Sequence, residues 1–246
     1  MKALIVSDLH SNEPALDAVM GRVRRKHLSQ MICLGDFVGY GGQPNQVVDR
    51  MRTFRGRKRY VRGNHDRVAS GIEDGMAFNH AARAAALWTR TRLSGLNRAF
   101  LWNLPSGPVI EDGIALCHGS PFDEDEYVFS AGHARDILMN VNARLVFFGH
   151  THLPVIYSID GRGNVEGGPP VPGVVIHLDP ERRYLINPGS VGQPRDRNTD
   201  ASFATIDLEA LAVRFMRVSY DISNAQEAIV RAGLPRMLAD RLAIGA

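Results

Sequence analysis

A chain of 246 residues with 44% hydrophobic and 22% charged side chains has the makeup of a globular protein and can bury a large core. Its formal charge of +3 suits an anionic substrate and is too small to argue for nucleic acid. No stretch approaches the ~20 apolar residues that a bilayer span needs, so a membrane partner is not expected. The first apolar run, Ala3–Val6, ends at Ser7-Asp8 and is too short for a signal peptide. Cys33 and Cys117 make no disulfide framework, and a soluble, cytoplasmic protein is expected.

Ala3–Val6 is a short continuous apolar run, as in a strand buried on both faces. Capping residues and a proline, Ser11 to Pro14, open a helix with Leu16, Val19, Met20 and Val23 at helical spacing. Met31–Leu34 is the second strand. Pro44-Asn45 starts a second helix with Val47, Val48 and Met51, and Lys58–Val61 is the third strand. Strand and helix alternating at this pace predict parallel pairing. Helices follow over Phe78–Leu93 and Asn97–Trp102, with Trp88 and Trp102 expected in the core. Asp112-Gly113 joins a hairpin of Val109-Ile110 with Ile114–Cys117. A helix over Ala131–Val141 leads into the strand Leu145–Phe148. Beyond it the pattern predicts strands at 155–159, 174–178, 183–186, 202–208 and 211–218, with Gly161–Gly173 as a long hairpin loop. Ser223–Arg231 and Arg236–Leu242 read as closing helices, and 1–246 as one domain.

Five of the turns after apolar runs carry polar residues suited to metals and proton transfer: Asp8-Leu9-His10, Gly35-Asp36, Gly63-Asn64-His65-Asp66, His118-Gly119 and Gly149-His150-Thr151-His152. Asp8 and His10, like His150 and His152, are expected on one side of an extended segment. Loops at the carboxyl ends of parallel strands can converge. The candidate ligands are then Asp8, His10, Asp36, Asn64, His118, His150 and His152. Seven nitrogen and oxygen ligands without a thiolate are too many for one small ion and suit two divalent transition metals. Manganese is favoured, with Fe, Zn, Co or Ni as alternatives. Two such ions would lower the pKa of bridging water from about 15.7 toward ~7 and hold phosphate oxygens for in-line attack. His65 would donate a proton to the departing oxygen or stabilise its charge.

These five blocks, all in order between residues 8 and 152, resemble the calcineurin-like metallophosphoesterases. Asn187-Pro188-Gly189-Ser190-Val191-Gly192 is similar to the loop that follows in the small prokaryotic phosphodiesterase branch. The resemblance implies a two-sheet β-sandwich flanked by helices. It implies one metal on Asp8, His10, Asp36 and His152. A second would sit on Asp36, Asn64, His118 and His150, with His65 as the catalytic histidine.

Gly39-Tyr40-Gly41 stands where the serine/threonine phosphatases carry Asp-Arg-Gly, which argues against a protein substrate. A small phosphoester, in particular a phosphodiester, is expected. Asp66 is the candidate to orient His65. Arg62, Arg67, Tyr40 and Arg195 are candidate substrate contacts, Tyr40 by stacking on a base. A nuclease, a nucleotide phosphatase and a non-catalytic metal-binding scaffold are the alternatives. The run Arg50, Arg52, Arg55, Arg57, Lys58, Arg59 reads as a solvated face. Cys33 and Cys117 read as packing residues, and His27, His80, His133 and His177 carry no motif.

Overall fold

The computed structural model describes residues 2–24 and 28–246, so His27 lies outside the described residues. Strands β1 (Lys2–Val6), β2 (Gln30–Cys33) and β3 (Arg57–Tyr60) run parallel, with Ala3 opposite Gln30 and Gln30 opposite Arg57. Helices α1 (Glu13–Val23) and α2 (Pro44–Arg52) make the two connections. The Asn12 side chain caps α1 by accepting from Ala15 N at 3.1 Å. Ala15, Leu16, Val19 and Val23 form its buried face, the i, i+4 repeat of an amphipathic helix.

Helices α3 (Asn64–Ser70), α4 (His80–Arg92) and α5 (Gly95–Trp102) come next. The hairpin β4 (Val109–Glu111) and β5 (Ile114–Leu116) leads to α6 (Ala131–Asn140) and β6 (Leu145–Phe147). Six strands follow: β7 (Pro154–Ile159), β8 (Val165–Gly168), β9 (Val175–His177), β10 (Arg183–Pro188), β11 (Ala201–Asp207) and β12 (Ala212–Val218). The chain closes with α7 (Ile222–Arg231), α8 (Met237–Asp240) and a 3-10 turn at Arg241–Ala243.

Two mixed six-stranded sheets result, in the orders β3-β2-β1-β11-β12-β9 and β4-β5-β6-β10-β7-β8. Their facing sides share one apolar layer, in which Ile5, Ile32, Val61 and Phe215 of the first meet Leu116, Phe147 and Ile186 of the second. The outer face of the first sheet packs under α1, α2 and α5, and that of the second under α6. A further cluster joins α4, α7 and α8 around Tyr40. No helix among the described residues is long and apolar enough to cross a membrane.

The elements and the core depart from the sequence expectations in several places. The Asn64-His65-Asp66 block is the first turn of α3 rather than a loop, and at seven residues that helix is too short to show periodicity. Gly161–Gly173 is not one long loop, because β8 pairs antiparallel with β7, Ile159 opposite Val165. Its two glycines and exposed centre erase the alternation that marks a strand. The last expected helix divides into α8 and the 3-10 turn. Trp102 is 51% exposed, since α5 buries Asn97 and Leu101 and the next residue points about 100° away. His80, His133 and His177 are exposed, and both cysteines are free and buried.

Candidate metal centre

The parallel strands deliver their polar residues to one end of the sandwich. Asp8 follows β1, Asp36 follows β2, Asn64 opens α3 beyond β3, His118 follows β5, and His150 and His152 follow β6. None of the two-residue blocks is extended. Asp8, His10, Asp36, His150 and His152 have φ of 54°, 46°, 54°, 64° and 61°, the left-handed region. That conformation costs most residues ~1–2 kcal/mol, and Asp tolerates it because a short polar side chain bonds locally. Strain of this kind clusters at functional sites. The reversals, not an extended strand, put both side chains of each block on the same side.

Gly63 permits a close approach to a candidate ligand. A Cβ there would stand 2.1 Å from Asp36 Oδ1, so only glycine lets the turn before α3 pack on that carboxylate. Asp36 Oδ1 accepts from His65 N at 2.9 Å. Asp36 Oδ2 is thereby aimed between two groups, 3.6 Å from His10 Nε2 and 3.4 Å from His118 Nε2. His152 Nε2 lies 3.5 Å from Asp8 Oδ1, and His118 Nε2 lies 3.2 Å from Asn64 Oδ1 and 3.1 Å from His150 Nδ1. Ligand-type atoms of three sets, Asp8-His10-His152, His10-Asp36-His65 and Asp36-His118-His150, each lie within 4.8 Å of one another. Seven side chains, Asp8, His10, Asp36, His65, His118, His150 and His152, are at most 4% exposed.

Main-chain carbonyls set the tautomers. His10 Nδ1 donates to Val38 O at 3.1 Å, His118 Nδ1 to Leu34 O at 2.7 Å and His152 Nδ1 to Gln193 O at 2.6 Å. A carbonyl only accepts, so Nδ1 holds a proton, and in the neutral rings of His10 and His152 Nε2 presents a lone pair. Such an acceptor behind each imidazole is the usual support of a metal-binding histidine. Burial holds His10 and His152 well below the usual imidazole range, so both are neutral. Their Nε2 atoms are nevertheless only 3.1 Å apart. Two facing lone pairs call for a cation between them.

Burial also depresses His150, to about 3, with the His118 charge adding to it. Burial works against a charged His118 too, but the Asp36 carboxylate overrides it and lifts that ring to about 10. A positive charge therefore belongs beside Asp36. Burial raises the Asp8 carboxyl to about 7, and its Oδ2 has no hydrogen-bond partner. Four imidazoles, two carboxylates and one amide, without a thiolate, fit a divalent transition metal.

Of the other residues expected at the site, Asp66 does not reach His65. Its Oδ2 accepts from Gly63 N at 2.9 Å and its Oδ1 from Val38 N at 3.3 Å, which fastens the start of α3 to the loop after β2. His65 Nδ1 is buried without a partner, and burial lowers that ring to about 4. Tyr40 is only 8% exposed and packs on His10 and His65 at ring distances of 4.5 and 4.4 Å, so a base has no open face to stack on. Arg67 is bound by Glu124, Asp125 and Glu73, and Arg62 lies 3.8 Å from Glu124. Arg195 reaches the Tyr40 hydroxyl at 3.4 Å and Gln193 Oε1 at 3.2 Å.

The sequence reading missed the three orienting carbonyls, which leave no side-chain signal. It also missed Tyr127, whose ring lies 4.0 Å from that of His150, and Arg241, whose Cζ lies 5.9 Å from the Tyr40 ring centre. The Asn187–Gly192 loop acts as a brace. Ser190 Oγ donates to Asp8 O at 2.9 Å, and Asn187 Nδ2 donates to Gly149 O at 2.8 Å and Thr151 Oγ1 at 3.0 Å.

A family model described as a calcineurin-like phosphoesterase superfamily domain matches residues 1–211. An uncharacterized protein of Methanocaldococcus jannaschii is 36% identical over 246 residues, covering 98% of this chain and 97% of its own. The crystal structure of a metallophosphoesterase from Sphaerobacter thermophilus is 37% identical, with a TM-score of 0.88 over 100% of both chains. A hypothetical protein from Pyrococcus horikoshii shares the fold at 20% identity, with a TM-score of 0.82 over 100% of this chain and 98% of that one. This chain belongs to the calcineurin-like phosphoesterase superfamily.

Proposed function

We propose that the chain is a phosphodiesterase that works with two divalent cations, manganese being the best suited. Asp8, His10, Asp36 and His152 would hold one, and Asp36, Asn64, His118 and His150 the other, with Asp36 shared. When bound, such cations supply charge to the phosphate oxygens and lower the pKa of water toward ~7. The observation that carries this reading is the unprotonated Nε2 pair of His10 and His152 at 3.1 Å, next to an Asp36 oxygen that lies 3.6 Å from His10 Nε2 and 3.4 Å from His118 Nε2.

The chain's own part is position. The carbonyls of Leu34, Val38 and Gln193 fix three imidazoles, and Gly63 lets α3 bring His65 against Asp36. His65, neutral in the resting site, would stabilise the departing oxygen as a hydrogen-bond donor. The preference for a diester is supported by Arg62 and Arg67, which face carboxylates and leave few donors for a dianionic monoester. A single domain is supported by the pairing of β1 with β11, and a cytoplasmic site by two buried free thiols.

The test is hydrolysis of bis-p-nitrophenyl phosphate and p-nitrophenyl phosphate with manganese, by the intact protein and by His65→Ala. Metal-dependent cleavage that favours the diester is expected. Absence of metal-dependent cleavage would overturn the enzymatic reading, and faster monoester cleavage the diester assignment.

A further inference from the structure

The segment between β5 and α6 leaves the metal centre at His118 and comes back to it at Tyr127. It is fastened at several points on the way. Ser120 Oγ accepts from Phe122 N and Asp123 N, both at 3.1 Å, and Asp123 O accepts from Ser120 N at 2.8 Å. Arg67 of α3 binds Glu124 at 2.9 Å and Asp125 at 2.5 Å. Ser130 Oγ caps α6 by accepting from His133 N at 3.2 Å.

Burial alternates just before that cap. Val128 is buried in one apolar cluster with Ala134, Ile137 and Leu138 of α6, while Tyr127 and Phe129 on either side of it are 44% and 59% exposed. A buried residue between two exposed ones is the alternation of an extended chain. Both rings therefore stand on the outer side, where they stack with centres 5.4 Å apart and planes 10° from parallel. The Tyr127 ring also lies 4.0 Å from that of His150. Because His150 is itself a candidate ligand, the ring pair begins at the edge of the metal centre.

Among the described residues, three aromatic side chains have ring centres within 5 Å of His65 or a candidate ligand: Tyr40, Phe78 and Tyr127. Tyr40 is buried and Phe78 packs against the cluster of α4, α7 and α8. Tyr127 is exposed and continues outward into Phe129. Flat aromatic side chains take flat groups by stacking, whatever the sequence or substituents of the guest. Rings already stacked on a fastened segment lose little freedom when they do so. Asp123-Glu124-Asp125-Glu126 directly precedes them, and four acids in a row disfavour a second phosphate there. A neutral planar group suits the place.

We infer that Tyr127 and Phe129 form a platform on which a neutral planar group of the substrate stacks while its phosphate sits at the metals. Resting on the phosphoesterase reading, this narrows the substrate class to phosphodiesters that carry an aryl or nucleobase group.

Binding tests it without turnover, since the P–C bond of a phosphonate is not an ester. Calorimetry on the manganese-loaded protein compares benzylphosphonate with propylphosphonate, for the intact chain, Tyr127→Phe, Tyr127→Leu and Phe129→Leu. The intact chain should prefer the benzyl ligand by at least about 5-fold, the low end of what stacking on an aromatic side chain contributes. Tyr127→Phe keeps the ring and should keep the preference. Tyr127→Leu and Phe129→Leu keep apolar bulk without a flat face and should each cut it to under about 2-fold. Phe129 touches no candidate ligand ring, so its variant reads the platform even if Tyr127→Leu disturbs His150. Equal binding of both phosphonates by the intact chain overturns the platform and leaves the metal site standing. A preference that survives Phe129→Leu and Tyr127→Leu overturns it too, as does an equal loss for both ligands in Phe129→Leu. A chain that prefers benzylphosphonate yet hydrolyses no ester sinks the phosphoesterase reading and leaves the platform standing.

Discussion

His10 and His152 face each other Nε2 to Nε2 across 3.1 Å, and each has its proton on the opposite nitrogen, donated to Val38 O or Gln193 O. The main chain thus holds two lone pairs in mutual repulsion until a cation lies between them.

Metal removal should therefore destabilise the fold as well as silence the site. A cation at 100 times its Kd stabilises the native state by about 2.7 kcal/mol. For a chain of this length that corresponds to a rise in Tm of roughly 5–10 °C. Thermal melts after dialysis against a chelator, and again after manganese is restored, measure it. A melting temperature indifferent to both would refute the cation site.

His65→Ala separates catalysis from ligation. His65 falls within 4.8 Å of His10 and Asp36 in one of the metal-type groups, yet its proposed role is toward the departing oxygen. The expected result is a kcat lower by about 10²–10⁴ with metal content per chain unchanged by elemental analysis. Loss of metal in proportion to activity would make His65 a ligand.

Much of this centre can be read from the sequence, because each candidate ligand is a polar residue placed directly after an apolar run. Asp8, Asp36 and His118 announce themselves in that way. What supports them cannot be read. The carbonyls of Leu34, Val38 and Gln193 do the orienting, and every residue has a carbonyl. The left-handed backbone at five ligand positions also leaves no composition signal, since the usual marker of positive φ is glycine and these positions hold Asp and His. The strands can be read from their apolar runs, except β8, whose glycines mask its pairing with β7, while their division into two sheets came from the family resemblance alone. Arg241 was invisible for another reason: more than 200 residues separate it from Tyr40, and only the packing of the C-terminal helices on α4 brings the two together.

Asp66 links the fold to the site without touching the chemistry. Its two oxygens accept main-chain N–H groups from Gly63 and Val38. Asp66→Asn keeps one acceptor and turns an amide N–H₂ toward the other donor. A buried donor left unsatisfied costs about 1–3 kcal/mol. Urea denaturation should show a loss of that size. A variant as stable as the parent would mean that these two bonds carry no weight in holding α3.

Gly39 tests whether the placement of His65 matters apart from the metals. Its φ is +96°, and a Cβ there would stand 2.3 Å from His65 Nδ1. Gly39→Ala must therefore strain the turn and push the imidazole aside, since the three atoms nearest that Cβ all belong to His65. A displacement near 1 Å can cost ~10² in rate, so kcat should fall by about that factor with metal content retained. Gly63→Ala is the contrast, because its Cβ would meet Asp36 Oδ1 at 2.1 Å and disturb the shared carboxylate itself. Metal loss is expected in that variant and not in the first. If both variants lose metal alike, His65 and Asp36 form one mechanical unit, and the separate role assigned to His65 falls.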